Sequence, residues 1–536
     1  MITKPYSVLL YKLRFLVCLL STSYYLHSEK LFAKERPNIL IILADDLGYS
    51  DLSCYGGEIK TPHLDKLAEN GLKYTQFYNT ARCWPTRAAL MTGFYPQQIN
   101  RDKVLDVSGG GGNKKRPNWA NLIPFYLQQV GYRSYHSGKW HIDGTPLENG
   151  FDHSYHLRDH NRFFTPEEHY EDDRKLPPVK PDTGYYSTVE IADRMIGYLE
   201  DHQEKYSEQP FFSYLAFTAP HFPLQALPED IEKIGDRYLS GWDVVRQQRW
   251  QKIQDLGIVK GTLSEVQRDG RILYPKKTRE IMDKLENDRA VPWEDLTEEQ
   301  KQFQQVKMTI HAAMIERMDR EISKVIEQLK RMSVFDNTLI FFLSDNGADA
   351  TIMVRGDGHD FQAVAGSRKS YLCLGPGWST VGNTPFKRHK IWVHEGGACT
   401  PLLVHWPMGI KAKGVLRHSP GHVIDILPTI IEITGMDTPE SPPIPLPGQS
   451  LLQTFDQEQT RSRTLWWSHN GHHAIREGDW KLVSVRKNPW ELYNLSEDRT
   501  ESKDLAKDYP EKVKWLEKIW HAQVEDFRKI KKTKQK

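Results

Sequence analysis

The sequence predicts an α/β protein: a mixed, mostly parallel sheet flanked by helices, with a smaller C-terminal domain built on an antiparallel sheet. Three observations carry this reading. Asn38-Ile39-Leu40-Ile41-Ile42-Leu43-Ala44 and Thr338-Leu339-Ile340-Phe341-Phe342-Leu343-Ser344 are continuous apolar runs too short for typical helices, the pattern of strands buried on both faces. Between them Val306, Ile310, Ala313, Met314, Met318, Ile322, Val325 and Leu329 recur at helical spacing, so a long amphipathic helix packs on the sheet. Residues 475–483 and 490–495 read as hairpin-like strands, followed by a terminal helix over 509–527 and a basic, solvated tail. The division that follows is a leader over 1–33, a main domain over 34–435 with a charged helical insertion at 228–305, and a smaller domain over 436–536.

With 536 residues, of which 39% are hydrophobic and 26% charged, the chain can bury one large core and a second, smaller one. A net charge of +2 argues against dedicated nucleic-acid binding, which calls for a far more basic surface. The five cysteines, Cys18, Cys54, Cys83, Cys373 and Cys399, show neither paired metal spacing nor a disulfide framework. At the N-terminus Lys4, Lys12 and Arg14 accompany Phe15-Leu16-Val17-Cys18-Leu19-Leu20, and Leu31-Phe32-Ala33 follows a polar run. That is the order of a secretory signal cleaved near Ala33, although Ser21 to Ser23 interrupt its apolar core. The protein is therefore expected to be exported, periplasmic or secreted. No later segment has the roughly 20 apolar residues of a membrane helix.

Each strand delivers chemistry at its carboxyl end, where open α/β sheets collect ligands. The first ends in Asp45-Asp46-Leu47-Gly48 and the later one in Asp345-Asn346-Gly347. Adjacent acids are as often a turn or cap. If the two strands are neighbours, however, Asp45, Asp46, Asp345 and Asn346 form an all-oxygen cage for Ca²⁺ or Mg²⁺. Thr61-Pro62-His63-Leu64-Asp65-Lys66-Leu67-Ala68 opens a short helix. In Ala81-Arg82-Cys83-Trp84-Pro85-Thr86-Arg87, Pro85 suits a first helical position and Gly93 a stop, which leaves Cys83 at a helix mouth that favours anions, with the Arg87 fork one turn on. The glycine run 109–112 reads as a loop, since phosphate-cradling patterns space their glycines. Residues 131–136 suggest a strand leading to Gly138-Lys139-Trp140-His141, where Lys139 and His141 share one side of an extended chain. The apolar run 211–217 delivers Thr218-Ala219-Pro220-His221. Farther on, Lys387-Arg388-His389-Lys390 precedes His394-Glu395-Gly396-Gly397 and a strand over 400–404, and His469, His472 and His473 precede the hairpin strands without metal spacing.

These motifs resemble the type I, formylglycine-dependent sulfatases, arylsulfatase-like, over 37–505. The family signature is Cys-x-Pro-Ser-Arg followed by a helix and Thr-Gly. Here it stands as Cys83-Trp84-Pro85-Thr86-Arg87 with Thr92-Gly93, and the threonine at 86 is a departure that bears on recognition by the formylglycine-generating maturation enzyme. The resemblance implies an alkaline-phosphatase-like fold and oxidation of Cys83 to formylglycine, whose hydrate attacks sulfur. It also implies one metal, usually Ca²⁺ and less often Mg²⁺, on Asp45, Asp46, Asp345 and Asn346. It assigns Arg87 to activating and orienting the nucleophile and Lys139 and Lys390 to sulfate charge. His141 would bond the hydrate, and His221 or a nearby lysine would assist the leaving oxygen. By register Lys390, five residues before Glu395, is the second sulfate lysine and Lys387 is not.

The expected function is sulfate ester hydrolysis on a sulfated small molecule or glycan, with a sulfated carbohydrate favoured by export and the insertion. Two alternatives stand beside it: a phosphomonoester, phosphodiester or phosphonate hydrolase of the same fold, and a non-catalytic carbohydrate-binding relative with Cys83 unconverted. Cys83 in its context disfavours the first, and the full set of Lys139, His141, His221 and Lys390 disfavours the second.

Overall fold

A computed structural model describes residues 36–102, 115–268, 284–352, 359–436, 444–459 and 463–533. The leader over 1–33 and the glycine run 109–112 lie outside them. The main sheet contains β1 (Asn38–Ala44), β2 (Leu72–Tyr78), β3 (Arg133–Lys139), β4 (His153–Leu157), β5 (His169–Glu171), β6 (Arg174–Lys175), β7 (Phe211–Ala216), β8 (Thr338–Ser344), β9 (Cys399–His405), β10 (Val415–Arg417) and β11 (Gly421–His422). Its order is β10-β2-β9-β8-β1-β7-β3-β4-β5-β6, with β11 also on β2. The central strands β8, β1, β7, β3 and β4 are mutually parallel, so their carboxyl ends gather along one edge. Antiparallel β9 closes one flank and β5 the other.

Alternation along β1 divides the core. Leu40, Ile42 and Ala44 face the long helix Glu298–Arg331, whose Met308, Met314, Met318 and Ile322 are buried there. Ile39, Ile41 and Leu43 face the opposite layer, with Leu90 and Met91 of helix Cys83–Thr92 and Leu427 of helix Ile426–Thr434. A pleated strand presents successive side chains to opposite faces, and both faces here are covered by helices, which is why the strand reads as one unbroken apolar run. The long helix starts with a capping box, Thr297 with Gln300. Within 228–305, helix Gly241–Asp255 sends Arg249 beneath the loop after β1, where it binds Asp51 at 2.7 Å and Glu58 at 2.7 Å.

The smaller sheet runs β12 (Thr464–His469), β13 (His472–Glu477), β14 (Trp480–Ser484) and β15 (Trp490–Asn494), all antiparallel. The turn between β12 and β13 is Asn470-Gly471, both at positive φ (52° and 82°), the two-residue form that matches strand twist. One face of this sheet carries Trp466 against Trp520 of the terminal helix Pro510–Thr533, ring centroids 5.4 Å apart. The other face meets the main domain, where the Trp467 indole donates to the Asn79 carbonyl at 2.7 Å.

A buried charge cluster fastens the two sheets. Lys481 on β14 binds Glu395 at 2.8 Å and Glu501 at 2.9 Å, all fully buried, and Arg499 lies 3.3 Å from Glu395. Burial alone would raise the Glu395 pKa, but Lys481 and then Arg499 overcome it and hold the group down to about 2 from an ordinary 4.5. A depressed carboxylate contributes stability above its unfolded pKa and loses it as pH falls through the folded value. This one is therefore worth about 3 kcal/mol at neutral pH, lost between about pH 4.5 and 2. Glu395→Gln should lower unfolding free energy at pH 7 by about that amount and flatten the acid limb, as read from urea midpoints across pH. Equal acid sensitivity of the two proteins would show that the cluster does not set it.

Candidate active site

Cys83 stands at the start of helix Cys83–Thr92, which begins two residues earlier than Pro85 suggests. Arg82 is its extended N-cap and Cys83 the first helical residue. Pro85 falls within the first turn, where a missing N–H breaks no helical bond. Gly93 ends the helix at φ 72°. The Thr86 hydroxyl accepts the Thr80 N–H at 3.1 Å and shares a hydrogen bond with the Thr80 hydroxyl at 2.8 Å, which pins the loop entering the helix. Cys83 is 3% exposed, and Cys54, Cys83, Cys373 and Cys399 are all outside disulfides.

One turn on, the buried Arg87 guanidinium joins three elements. Its Nε donates to Asp345 Oδ2 at 2.9 Å, Nη2 pairs in charge with the same oxygen at 2.8 Å, and Nη1 donates to the Lys139 carbonyl at 2.9 Å. Asp345 follows β8 and Asp45 follows β1. Because these strands pair in parallel with Ala44 opposite Ser344, the two acidic ends lie side by side. Asp46 takes a left-handed backbone, φ 66°, a conformation aspartate tolerates, and its N–H reaches Asp345 Oδ1 at 3.3 Å. The Asn346 amide nitrogen donates to Asp46 Oδ1 at 2.7 Å.

The four expected ligands, Asp45, Asp46, Asp345 and Asn346, are thus drawn into one buried cluster. Asp45 Oδ1 and Asn346 Oδ1 are buried without a hydrogen-bond partner. Burial pushes Asp46 up to about 6, with Lys390 opposing and Asp45 and Asp349 adding to the rise; burial, then Asp45, pushes Asp345 up to about 7. Crowded, desolvated carboxylates with spare lone pairs fit a hard cation, whose charge would reverse these shifts. Asp45, Asp46 and His221 also place ligand atoms within 4.8 Å of one another, so a nitrogen ligand is available to the same ion.

Cations flank the acids. The Lys139 ammonium, fully buried at the end of β3, lies 2.6 Å from Asp45 Oδ2. Lys390 lies 2.7 Å from Asp46 and 3.2 Å from Asp349. Lys387 instead turns to Tyr493 at 2.7 Å, outside the cluster. His221 donates through Nδ1 to the Phe222 carbonyl, 2.6 Å away, and brings Nε2 to 3.5 Å from Asp46. His141 differs from the extended-chain expectation: β3 ends at Lys139, and His141 has φ 53°, so the two side chains are not related by strand alternation. Both ring nitrogens of His141 are buried without partners, and its ring lies 5.8 Å from that of Trp84.

Sequence reasoning missed Asp349 and His160. Asp349 follows Asp345 by four residues, and its acidity in a strand-end loop was the available signal. His160 follows β4, a strand whose polar His153-Ser154-Tyr155-His156-Leu157 carries no apolar run to announce it. Of the three later histidines, His469 lies 5.8 Å from the Trp84 ring and His472 5.6 Å from the Trp392 ring, whereas His473 packs on Trp520 at 4.4 Å.

Strand-end acids suited to a cation, ringed by buried ammonium and guanidinium groups, define a hydrolase for anionic esters. The chain belongs to the sulfatase family and is a sulfate ester hydrolase. The family profile "Sulfatase" matches residues 37–436, and "N-sulphoglucosamine sulphohydrolase, C-terminal" matches 386–529. An uncharacterised sulfatase of Schizosaccharomyces pombe is 30% identical over 541 residues, covering 91% of this chain and 93% of that one. An arylsulfatase of Klebsiella aerogenes is 31% identical over 455 residues, covering 78% and 92%. Among solved structures, Ps i-CgsB in complex with k-i-k-neocarrahexaose aligns with a TM-score of 0.65 and 25% identity, covering 90% of this chain and 91% of that one. Among the described residues no helix is long and apolar enough to cross a membrane.

Proposed function

We propose that Cys83, oxidised to formylglycine by a formylglycine-generating enzyme, is the nucleophile of an exported sulfatase that acts on a sulfated carbohydrate with one bound divalent cation. The observation that carries this reading is Arg87: from one turn beyond Cys83 it binds Asp345 and the Lys139 carbonyl at once, which ties the Cys83 helix, the acid cluster and the end of β3 together. Asp45, Asp46, Asp345 and Asn346 would hold the cation. An all-oxygen set suits Ca²⁺ better than Mg²⁺, which keeps more of its waters. When bound, the cation would supply Lewis-acid charge at the acid cluster. The hydrated aldehyde supplies an oxygen to attack sulfur and a second hydroxyl that later releases sulfate.

The other side chains follow from placement. Lys139 and Lys390 set positive charge against the sulfate oxygens, which otherwise repel a nucleophile. His141, with both ring nitrogens free of partners, is placed to accept the proton of the second hydroxyl. A proton taken up by His221 Nε2, or carried by Lys390, goes to the departing alcohol oxygen. The saccharide in the Ps i-CgsB complex supports a carbohydrate substrate. Coexpression with a maturation enzyme should lower the mass of the Cys83 peptide by about 18 Da, thiol to aldehyde, and the product should release sulfate from 4-nitrophenyl sulfate. An unmodified cysteine in a protein that still releases sulfate would overturn the formylglycine reading.

A further inference from the structure

The parallel core brings β8, β1, β7, β3 and β4 to one edge, and the proposed function uses the ends of the first four. The fifth end is not idle. Three residues past β4, His160 stands between the two site histidines, its ring 5.3 Å from that of His141 and 5.7 Å from that of His221. Its loop is pinned rather than loose: the Arg158 N–H donates to the Glu168 carbonyl at 2.9 Å, the Glu167 N–H donates to Asp159 Oδ2 at 2.7 Å, and the Arg162 N–H donates to the Asp159 carbonyl at 3.0 Å.

The ring's hydrogen-bonding state can be worked out. His160 Nδ1 lies 3.2 Å from the Arg158 carbonyl, which can only accept, so Nδ1 carries the proton. In the neutral ring Nε2 is then the lone-pair acceptor, in a site where the groups that meet sulfate are cations and donors. An acceptor there has no use for a sulfate oxygen. It matches a hydroxyl of the alcohol that carries the ester.

We propose that His160 is a substrate-recognition residue whose Nε2 accepts a hydrogen bond from a free hydroxyl near the sulfated carbon, so that the site selects sulfate esters of polyols, sugars above all, over aryl sulfates. This rests on the sulfatase reading above and adds a residue and a selectivity to it. In matured protein, kcat/KM is measured on a panel of monosulfated hexoses and on 4-nitrophenyl sulfate, which has no such hydroxyl. His160→Ala should lower the ratio of sugar-sulfate to aryl-sulfate kcat/KM by about tenfold, the upper end of what one hydrogen bond is worth. His160→Gln, whose side-chain carbonyl is again an acceptor, should recover at least about a third of the lost ratio. Equal loss on both substrates, or an unchanged ratio, overturns the proposal. So does a wild-type enzyme that accepts the aryl ester but no sugar of the panel. Sulfate release from neither class would instead overturn the reading on which it rests.

Discussion

Cys83→Ala removes sulfate release from the matured enzyme, with kcat falling on the order of 10⁴-fold or more, while the protein remains folded. The loss is large because the remaining groups, Arg87, Lys139, Lys390 and the acids, bind and polarise but supply no covalent nucleophile; enzymes stripped of theirs fall back on binding and electrostatics alone. The fold survives because the change removes only the small terminal group of a side chain that is 3% exposed, and Ala is a good helix former at that position. A Tm within a few degrees of wild type, together with sulfate release near background, is the expected pair of results. Retained turnover would show that the nucleophile lies elsewhere.

Asp345→Asn separates metal retention from folding. The side chain keeps its shape and its second oxygen, but loses the charge that meets both the Arg87 fork and the cation cluster. We expect bound divalent metal, measured by elemental analysis after dialysis, to fall below stoichiometric and kcat/KM to drop by at least about 100-fold. Chelation of the wild type should produce the same loss, restored by Ca²⁺ more fully than by Mg²⁺ at equal concentration. Alanine is the wrong substitution here, because Arg87 would be left as a buried charge without its main partner, at a cost of about 3–5 kcal/mol. Undiminished activity after thorough chelation would overturn the cation site.

Much of this was legible without coordinates, for identifiable reasons. A strand buried on both faces must be apolar throughout, so β1, β7 and β8 announced themselves, while the pairing of the acids after β1 and β8 depended on those strands being neighbours, which the sheet makes them. Helix Glu298–Arg331 was legible from its apolar stripe, although residues 307–316 are buried all round. The choice of Lys390 over Lys387 came from the resemblance to the sulfatases, whose lysine stands five residues before the Glu-Gly-Gly, and the two side chains go to Asp46 and Tyr493 respectively.

Composition and motif determined the class of fold, a cysteine with its arginine one turn on, and two strand-end pairs, Asp45-Asp46 and Asp345-Asn346, of hard oxygen donors. Tertiary structure decided what depends on distance between segments far apart in the chain. It aligned Ala44 with Ser344, set Asp349 on Lys390, and drove Lys481 into the acids beneath the small sheet. It also turned His141 by a left-handed backbone and brought His160 between His141 and His221. Periodicity reports only which face of an element is buried. Which element lies across from it is settled by sheet order and packing, and the chemistry of this site resides in those pairings.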